Sequence, residues 1–338
     1  MTGRTGGPVA DADEFTRRTE PLRRELLAHC YRMLGSADEA EDLVQETYLR
    51  AWRAYGGFEG RSSLRVWLYR IATNACLNAL DHRGRRALPS GLGAPTSDVG
   101  TRPEPAGPDV DWVQPVPDVL VGAQSADPAA IVTSRESLRL ALVAGLQYLP
   151  PRQRAVLLLR EVLAFPAAEV AAMLGTTTPA VKSTLQRARA RLHEVAPRPE
   201  HVVEPTDPQA VSLLEKYVAG FQNADTEALE QALRADAAIE MVGTRTWFSG
   251  RKTCLAYLAR VIGSPGDWRM IPVSANGQPA AAAYHRSPDG SYRAFGLGVL
   301  TVTTTGISHI HVFAGGSDLL ARFDTGVHVD EHSSRGCT

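Results

Sequence analysis

The sequence predicts a multidomain chain: an all-α helical bundle, then an all-α helix-turn-helix domain, then an α+β domain. Three observations lead there. Apolar residues recur at helical spacing from Phe15 to about Arg86 and again from Arg135 to Val195. The stretch between these blocks holds eight prolines and five glycines. Beyond Pro208, two helical patterns give way to alternating and β-branched runs such as 299–305 and 309–313, an order typical of α+β domains. A length of 338 residues leaves room for two or three cores.

Charge divides along the same lines. Lys plus Arg is 36 and Asp plus Glu is 37, a formal net charge of -1. Residues 15–86 nevertheless hold 13 basic and 9 acidic side chains, and 135–194 hold 9 and 4. The intervening 87–134 hold 1 and 6, and 200–338 hold 11 and 15. Two basic blocks separated by acidic ones point to nucleic acid as a partner or to surfaces that must stay apart. There is no run of 18 apolar residues and no apolar core near the N-terminus, so neither a membrane span nor a signal peptide is expected, and the protein is expected to be cytoplasmic. Cys30, Cys76, Cys254 and Cys337 are scattered without a C-x-x-C pair, which predicts neither a disulfide framework nor a metal site.

In chain order, 1–14 read as a polar tail and 15–87 as a helical domain, broken at Gly35-Ser36 and from Gly56-Gly57 to Ser63. Residues 88–134 read as a flexible linker, although 110–121 is able to hold a transient contact. The second helical domain covers 135–195, with Leu138, Leu142, Leu146 and Leu149 on one stripe. Prolines 197, 199, 205 and 208 mark a second linker over 196–208. The α+β domain spans 209–326, with helices over 211–222, 226–234 and 251–262 and short strands within 268–325, and 327–338 form a tail.

Three segments carry chemistry. In 168–192 a short helix ends at Gly175, a turn follows, and Thr178-Pro179 offers an N-cap and a proline at the first helical position, which together predict a helix-turn-helix. Val181, Leu185, Ala188 and Leu192 face the core. Pro179, Ser183, Gln186, Arg187 and Ala190 then face outward, flanked by Lys182, and small hydrogen-bonding side chains there suit base edges while Lys182, Arg187, Arg189 and Arg191 suit phosphates. The plainer reading is a solvated basic face.

On the helix near 65–80, Leu64, Leu68, Ile71, Ala72, Ala75 and Ala79 form the buried face. Beside it run Trp67, Arg70, Asn74 and Asn78, followed by Arg83, Arg85 and Arg86, a stripe suited to unstacked bases. The preceding loop, with Ser62 and Ser63, offers small hydroxyls to wall a pocket for one flipped base. A Trp at helical spacing is more often core than a DNA contact, so Trp67 has room for both roles. In 38–53, Leu43, Val44, Thr47 and Ala51 face inward, while Asp38, Asp42, Gln45, Glu46, Leu49 and Arg53 face out. A leucine on an acidic face in a basic domain looks like a protein-docking surface, although taken alone the segment reads more readily as a solvated charged helix.

This combination resembles the extracytoplasmic-function (ECF) sub-family of sigma-70 RNA polymerase sigma factors. The likeness covers 15–86 (region 2) and 135–195 (region 4) and rests on Asp38-Glu-Ala-Glu-Asp-Leu-Val-Gln-Glu-Thr47, Trp67-Leu-Tyr-Arg-Ile-Ala-Thr-Asn-Ala-Cys-Leu-Asn78 and Leu149-Pro-Pro-Arg-Gln-Arg-Ala-Val-Leu157. The resemblance implies a non-enzymatic subunit that binds core RNA polymerase and promoter DNA. Asp38, Glu39, Asp42, Gln45, Glu46 and Leu49 would meet the β′ clamp helices. Arg61, Ser62, Ser63, Trp67, Arg70, Asn74, Asn78, Arg83, Arg85 and Arg86 would open and hold the minus-10 element. Region 4 would dock on the β flap, with Thr178, Pro179, Lys182, Ser183, Gln186, Arg187 and Arg189 at the minus-35 element. The acidic tether would suit a basic RNA-exit path.

The block from 209 to 326 resembles the SnoaL-like cone-shaped α+β domain fused to a subgroup of ECF sigma factors, through Thr246-Trp-Phe-Ser-Gly-Arg251, Ala275-Asn-Gly-Gln-Pro-Ala280 and Val299-Leu-Thr-Val302. By that resemblance it modulates sigma activity in cis, with a small ligand as a possible occupant and no cofactor. The alternative is a small-molecule isomerase or cyclase fused to a DNA-binding regulator. Its general base would come from Asp236, His285, His309 or His311, with Trp247, Tyr257, Trp268 and Phe295 around an apolar pocket. The docking helix favours the sigma reading, because a one-component regulator has no use for it.

Overall fold

The computed structural model describes residues 8–81, 84–100, 102–122, 128–195, 202–323 and 325. The chain divides into two units, Met1–Arg86 with Asp111–Arg198, and Ala87–Val110 with Pro199–Thr338.

The first unit opens with helices α1 (Pro8–Thr19), α2 (Arg23–Leu34), α3 (Ala37–Ala54) and α4 (Leu64–Leu80). Helix α1 therefore begins inside the stretch expected to be a polar tail. Gly35, at φ 70, closes α2 by donating its N–H to the Tyr31 carbonyl, and Ser36 caps α3 by accepting from the Glu39 N–H at 3.3 Å. Ser63 caps α4 in the same way, accepting from the Val66 N–H at 3.2 Å. The faces follow the helical period: Val44, Thr47 and Ala51 of α3 and Leu68, Ala72 and Ala75 of α4 are buried against Leu26, Tyr31 and Met33 of α2. Leu64, Ile71 and Ala79 are half-buried instead, because Trp67, Tyr69 and Cys76 take the neighbouring core positions.

The unit continues through α5 (Asp118–Val121), α6 (Pro128–Glu136), α7 (Leu140–Leu146), α8 (Pro151–Leu157), α9 (Ala167–Met173) and α10 (Thr178–Val195). Helix α8 runs into a π-turn over Leu158–Val162. The period read from 135 onward does not belong to one helix. Arg139 is extended at ψ 137, so the chain restarts at Leu140, and Leu140 and Val143 are buried where Leu142 is half-buried. The turn between α9 and α10 places Gly175 at φ 61. The cap of α10 is Thr177, not Thr178: its Oγ1 accepts from the Ala180 N–H at 3.3 Å, so Pro179 stands second in the helix.

The expected flexible linker is pinned in two halves, which corrects that expectation for the described residues. Val113, Val116 and Val121 are buried in the first unit. Residues 87–110 belong to the second, where the Thr96 N–H donates to the Trp247 carbonyl at 2.9 Å, Glu104 exchanges bonds with Thr246 and Arg245, and the Ala106 N–H donates to the Gly243 carbonyl at 3.2 Å. Composition registered the prolines but not the free strand edge they would meet.

The second unit then adds α11 (Pro208–Gln222), α12 (Thr226–Ala232), β1 (Leu233–Val242), β2 (Trp247–Ser249), α13 (Arg251–Val261), β3 (Trp268–Ala275), β4 (Gln278–Arg286), β5 (Tyr292–Thr303), β6 (Gly306–Ala314) and α14 (Gly316–Leu320). The helix expected over 226–234 stops at Ala232, and β1 and β2 lie in a stretch where no strand was expected. The strands form one sheet in the order β2-β1-β6-β5-β4-β3, antiparallel except for the β1–β6 pair. Asn276 and Gly277, both at positive φ, turn β3 into β4. Asp207 and Asp225 cap α11 and α12. Helices on a mixed sheet give the expected α+β architecture, with Tyr217, Phe221, Ile239, Leu258, Trp268 and Leu300 in its core.

Candidate nucleic-acid and polymerase interface

On α10, Pro179, Lys182, Ser183, Gln186 and Arg187 are exposed and Thr178 is half-buried, while Val181 and Ala188 are buried on the opposite side. Arg187 remains local, donating to Thr184 Oγ1 at 3.2 Å. Arg189 forms an ion pair with Glu161, and Arg191 donates through Nε to the Tyr148 carbonyl at 2.9 Å. The outward cluster at the front of the helix is thus Lys182, Ser183, Gln186 and Arg187.

On α4, Arg70, Asn74 and Asn78 form an exposed polar stripe. Trp67 is buried and lies against the Phe58 ring, with centroids 4.9 Å apart. Its role is therefore chiefly core. Arg61 and Ser62 are exposed in the preceding loop, Arg61 pairing with Glu59 at 2.5 Å, and Ser63 serves as the helix cap. Arg83 lies outside the described residues. Arg85 sits over the Tyr148 ring with its guanidinium carbon 3.8 Å from the centroid. Arg86 faces inward: it donates to Glu39 Oε1 at 2.7 Å and to the Trp112 carbonyl at 3.1 Å, and burial lowers its pKa.

On α3, Asp42 and Gln45 are exposed, Glu46 pairs with Arg50 at 2.6 Å, and Leu49 is 57 % exposed. Trp52 is also exposed and meets Phe15 edge-on at 5.4 Å; it extends the apolar spot one helical turn beyond Leu49. Its i, i+3 spacing was the available sign. Asp38 and Glu39 are already engaged, Asp38 accepting from Gln114 Nε2 at 2.9 Å and Glu39 holding Arg86.

In the second unit, an apolar cavity of about 50 Å³ lies between α11, α13 and the sheet, lined by Tyr217, Phe221, Tyr257, Trp268, Met270 and Phe295 among others. Trp247 does not line it; its indole N–H donates to the Gly93 carbonyl at 2.9 Å. Nor do the expected acid-base residues. Asp236 is exposed and bonded to Arg234 at 2.6 Å, an interaction that lowers its pKa, and His285 lies edge-on to Trp268 at 4.8 Å. His309 and His311 do share a strand face, their rings stacked at 5.9 Å, but it is the face opposite Ile310 and Val312, which line the cavity. There His311 Nε2 lies 3.5 Å from Glu240 Oε1, and Glu240 Oε2 accepts the Ser90 N–H at 2.9 Å. Burial works to raise the Glu240 pKa, but His311 and the Ser90 N–H outweigh it and leave the carboxyl lowered. Among the described residues no group of three or more His, Cys, Asp or Glu side chains is placed to hold a metal ion, and no helix is long and apolar enough to cross a membrane.

Residues 19–86 match the sigma-70 region 2 family and residues 139–192 the sigma-70 region 4 family. Over 314 residues, 89% of this chain and 81% of the relative, the chain is 50% identical to the ECF RNA polymerase sigma factor SigG of Mycobacterium tuberculosis. It is 29% identical over 218 residues to SigJ of the same organism, covering 64% of this chain and 61% of that one. The crystal structure of the Mycobacterium tuberculosis extracytoplasmic function sigma factor SigJ shares the fold, with a TM-score of 0.54 at 22% identity over 93% of this chain and 99% of that chain.

Proposed function

Because the chain belongs to the ECF family of sigma-70 RNA polymerase sigma factors, we propose a division of promoter-directed transcription initiation among its exposed helix faces. Helix α3 docks core polymerase through Asp42, Gln45, Glu46, Leu49 and Trp52. Helix α4 holds unpaired minus-10 bases with Arg70, Asn74 and Asn78, and α10 reads the minus-35 element with Lys182, Ser183, Gln186 and Arg187. The observation that carries the docking assignment is the 57 % exposure of Leu49 on an acidic helix face. Replacing Leu49 with Ala should weaken binding to core polymerase about tenfold, the size of one good interface contact, while the circular dichroism stays unchanged. Unaltered affinity would remove the docking assignment.

The second unit modulates that activity in cis. Supporting this, its sheet holds residues 87–110, part of the connection between regions 2 and 4. Its cavity suits a small uncharged ligand, since no carboxylate or imidazole lines it and the two hydroxyls there, those of Tyr217 and Tyr257, have pKa values raised by burial and stay neutral. The same lining lacks the general base that an isomerase or cyclase requires. Transcription by core polymerase with the full chain, compared with a chain ending at Arg198, tests the modulation: equal output would set it aside.

A further inference from the structure

Helix α11 turns Leu213, Tyr217 and Phe221 toward the sheet at i, i+4 spacing, and all three are buried. The rings of Tyr217 and Phe221 lie 5.1 Å apart, tilted by 56°, and both line the apolar cavity of the second unit. A buried phenol ordinarily finds a partner for its hydroxyl. That of Tyr217 has no hydrogen-bond partner among the described residues, although the residue is only 3 % exposed. Gly298 of β5 stands opposite: a Cβ there would lie 3.0 Å from the hydroxyl oxygen, so the glycine keeps its approach open. The other polar groups on the cavity wall are engaged. Tyr257 donates its hydroxyl to Met241 Sδ at 3.5 Å, and the Trp268 indole N–H donates to the Val261 carbonyl at 3.0 Å.

These facts select the occupant. Water fits poorly, because a buried water needs two to four polar partners and this wall offers one free donor. A charged molecule fits no better, since no side chain of opposite charge lines the cavity to offset its desolvation. Burial raises the Tyr217 pKa, so the hydroxyl keeps its proton and calls for an acceptor. The volume of about 50 Å³ is well below the roughly 150 Å³ that holds benzene in an engineered apolar cavity, so the molecule is small and the wall must yield to admit it. The yielding side is the half-buried rim, where Met241 has three rotatable bonds and only a weak O–H to sulfur contact joins it to Tyr257. That rim bears on the connector. Ile239 and Met241 of β1 face the cavity, while Glu240 between them holds the Ser90 N–H on the other side of the sheet.

We propose that the cavity is the receptor site for a small, uncharged, apolar molecule with one acceptor oxygen, which takes a hydrogen bond from the Tyr217 hydroxyl and enters between Met241 and Tyr257. The inference rests on the reading of the second unit as a modulator, whose input this site supplies, and its test keeps the two apart. The chain has five methionines; Met241 and Met270 line the cavity, while Met33 and Met173 lie in the first unit. Methionine-methyl NMR on the full chain therefore reports occupancy. The probes are cyclopentanone and methylenecyclopentane, the same shape with CH2 in place of the oxygen. Cyclopentanone should shift the Met241 and Met270 signals with a Kd of about 1–10 mM, in keeping with its few non-hydrogen atoms, and leave Met33 and Met173 in place. Tyr217→Phe should weaken cyclopentanone about fivefold and leave methylenecyclopentane unchanged, the net worth of one neutral hydrogen bond. Its melting temperature should equal or exceed that of the wild type, because an unpaired buried polar atom is removed. Gly298→Ala sets a methyl beside the hydroxyl and should weaken the ketone with Tyr217 intact. Silent Met241 and Met270 signals at concentrations tenfold above that range, an equal loss for both probes, or a lowered melting temperature in Tyr217→Phe would overturn the site. Transcription by core polymerase with the full chain, with and without cyclopentanone, then addresses the modulation. A change in output that is reduced in Tyr217→Phe ties the site to it, whereas binding with no change in output keeps the site and sets the modulating role aside.

Discussion

His29 is fully buried between α2 and α4, with Nε2 on the Thr73 hydroxyl at 2.9 Å and Nδ1 without a hydrogen-bond partner. Burial first, then the nearby charges of Arg32 and Arg65, push its pKa from 6.5 down to about 3. The unfolded chain therefore binds a proton between pH 6.5 and 3 that the folded chain refuses. Stability contributed by the neutral ring is complete above pH 6.5 and falls with acidity, by up to about 1.4 kcal/mol per pH unit. The urea midpoint should drop more steeply in the wild type than in His29→Gln between pH 6.5 and 4.5; parallel slopes would contradict this. At this scale the sequence was informative about exposure and silent about partners. Leu49 declared itself by standing on an acidic face. Glu240, Gln114 and Tyr148 did not, because each acquires its role from a residue between 43 and 150 positions away in the chain.

Gln114 is where one element depends on another. Its Oε1 accepts from the Ser36 hydroxyl and from the N–H groups of Ala37 and Asp38, and its Nε2 donates to Asp38, so a residue of the supposed tether closes the N-terminus of α3. The Gln114 backbone is itself held, its N–H donating to the Gly35 carbonyl and its carbonyl accepting from the Tyr31 hydroxyl. Gln114→Ala should cost about 1–3 kcal/mol and speed amide exchange at residues 37–39 while leaving the middle of α3 protected. Unchanged exchange there would show that Ser36 suffices as the cap. The cap of α10 fell one residue from its expected place, on Thr177 rather than Thr178, but helix faces were legible because periodicity is decided within four residues. The break at Arg139, the change from helix to strand at Leu233 and the docking of 87–122 were not, since packing against distant elements settles them.

Over the whole molecule, the net charge of -1 resolves into two opposed units. The unit with α4 and α10 holds 24 Lys and Arg against 19 Asp and Glu, and the unit with the sheet holds 12 against 18. The acidic connector is divided between them, and its first half is bound to the sheet through the N–H groups of Ser90, Thr96, Glu104 and Ala106. Removing everything after Arg198 deletes every acceptor of those four donors: the Glu240 carboxylate, the Trp247 carbonyl, the Thr246 hydroxyl and the Gly243 carbonyl. The four amides should then exchange at rates near those of an unfolded peptide, while those of α2 and α4 keep their protection. The shortened chain also changes from -1 to +3, so its promoter binding should strengthen most at low salt, where screening is weakest. If the four amides stay protected after truncation, the connector owes its order to something other than the sheet, and the sheet could then not act on regions 2 and 4 through that connector.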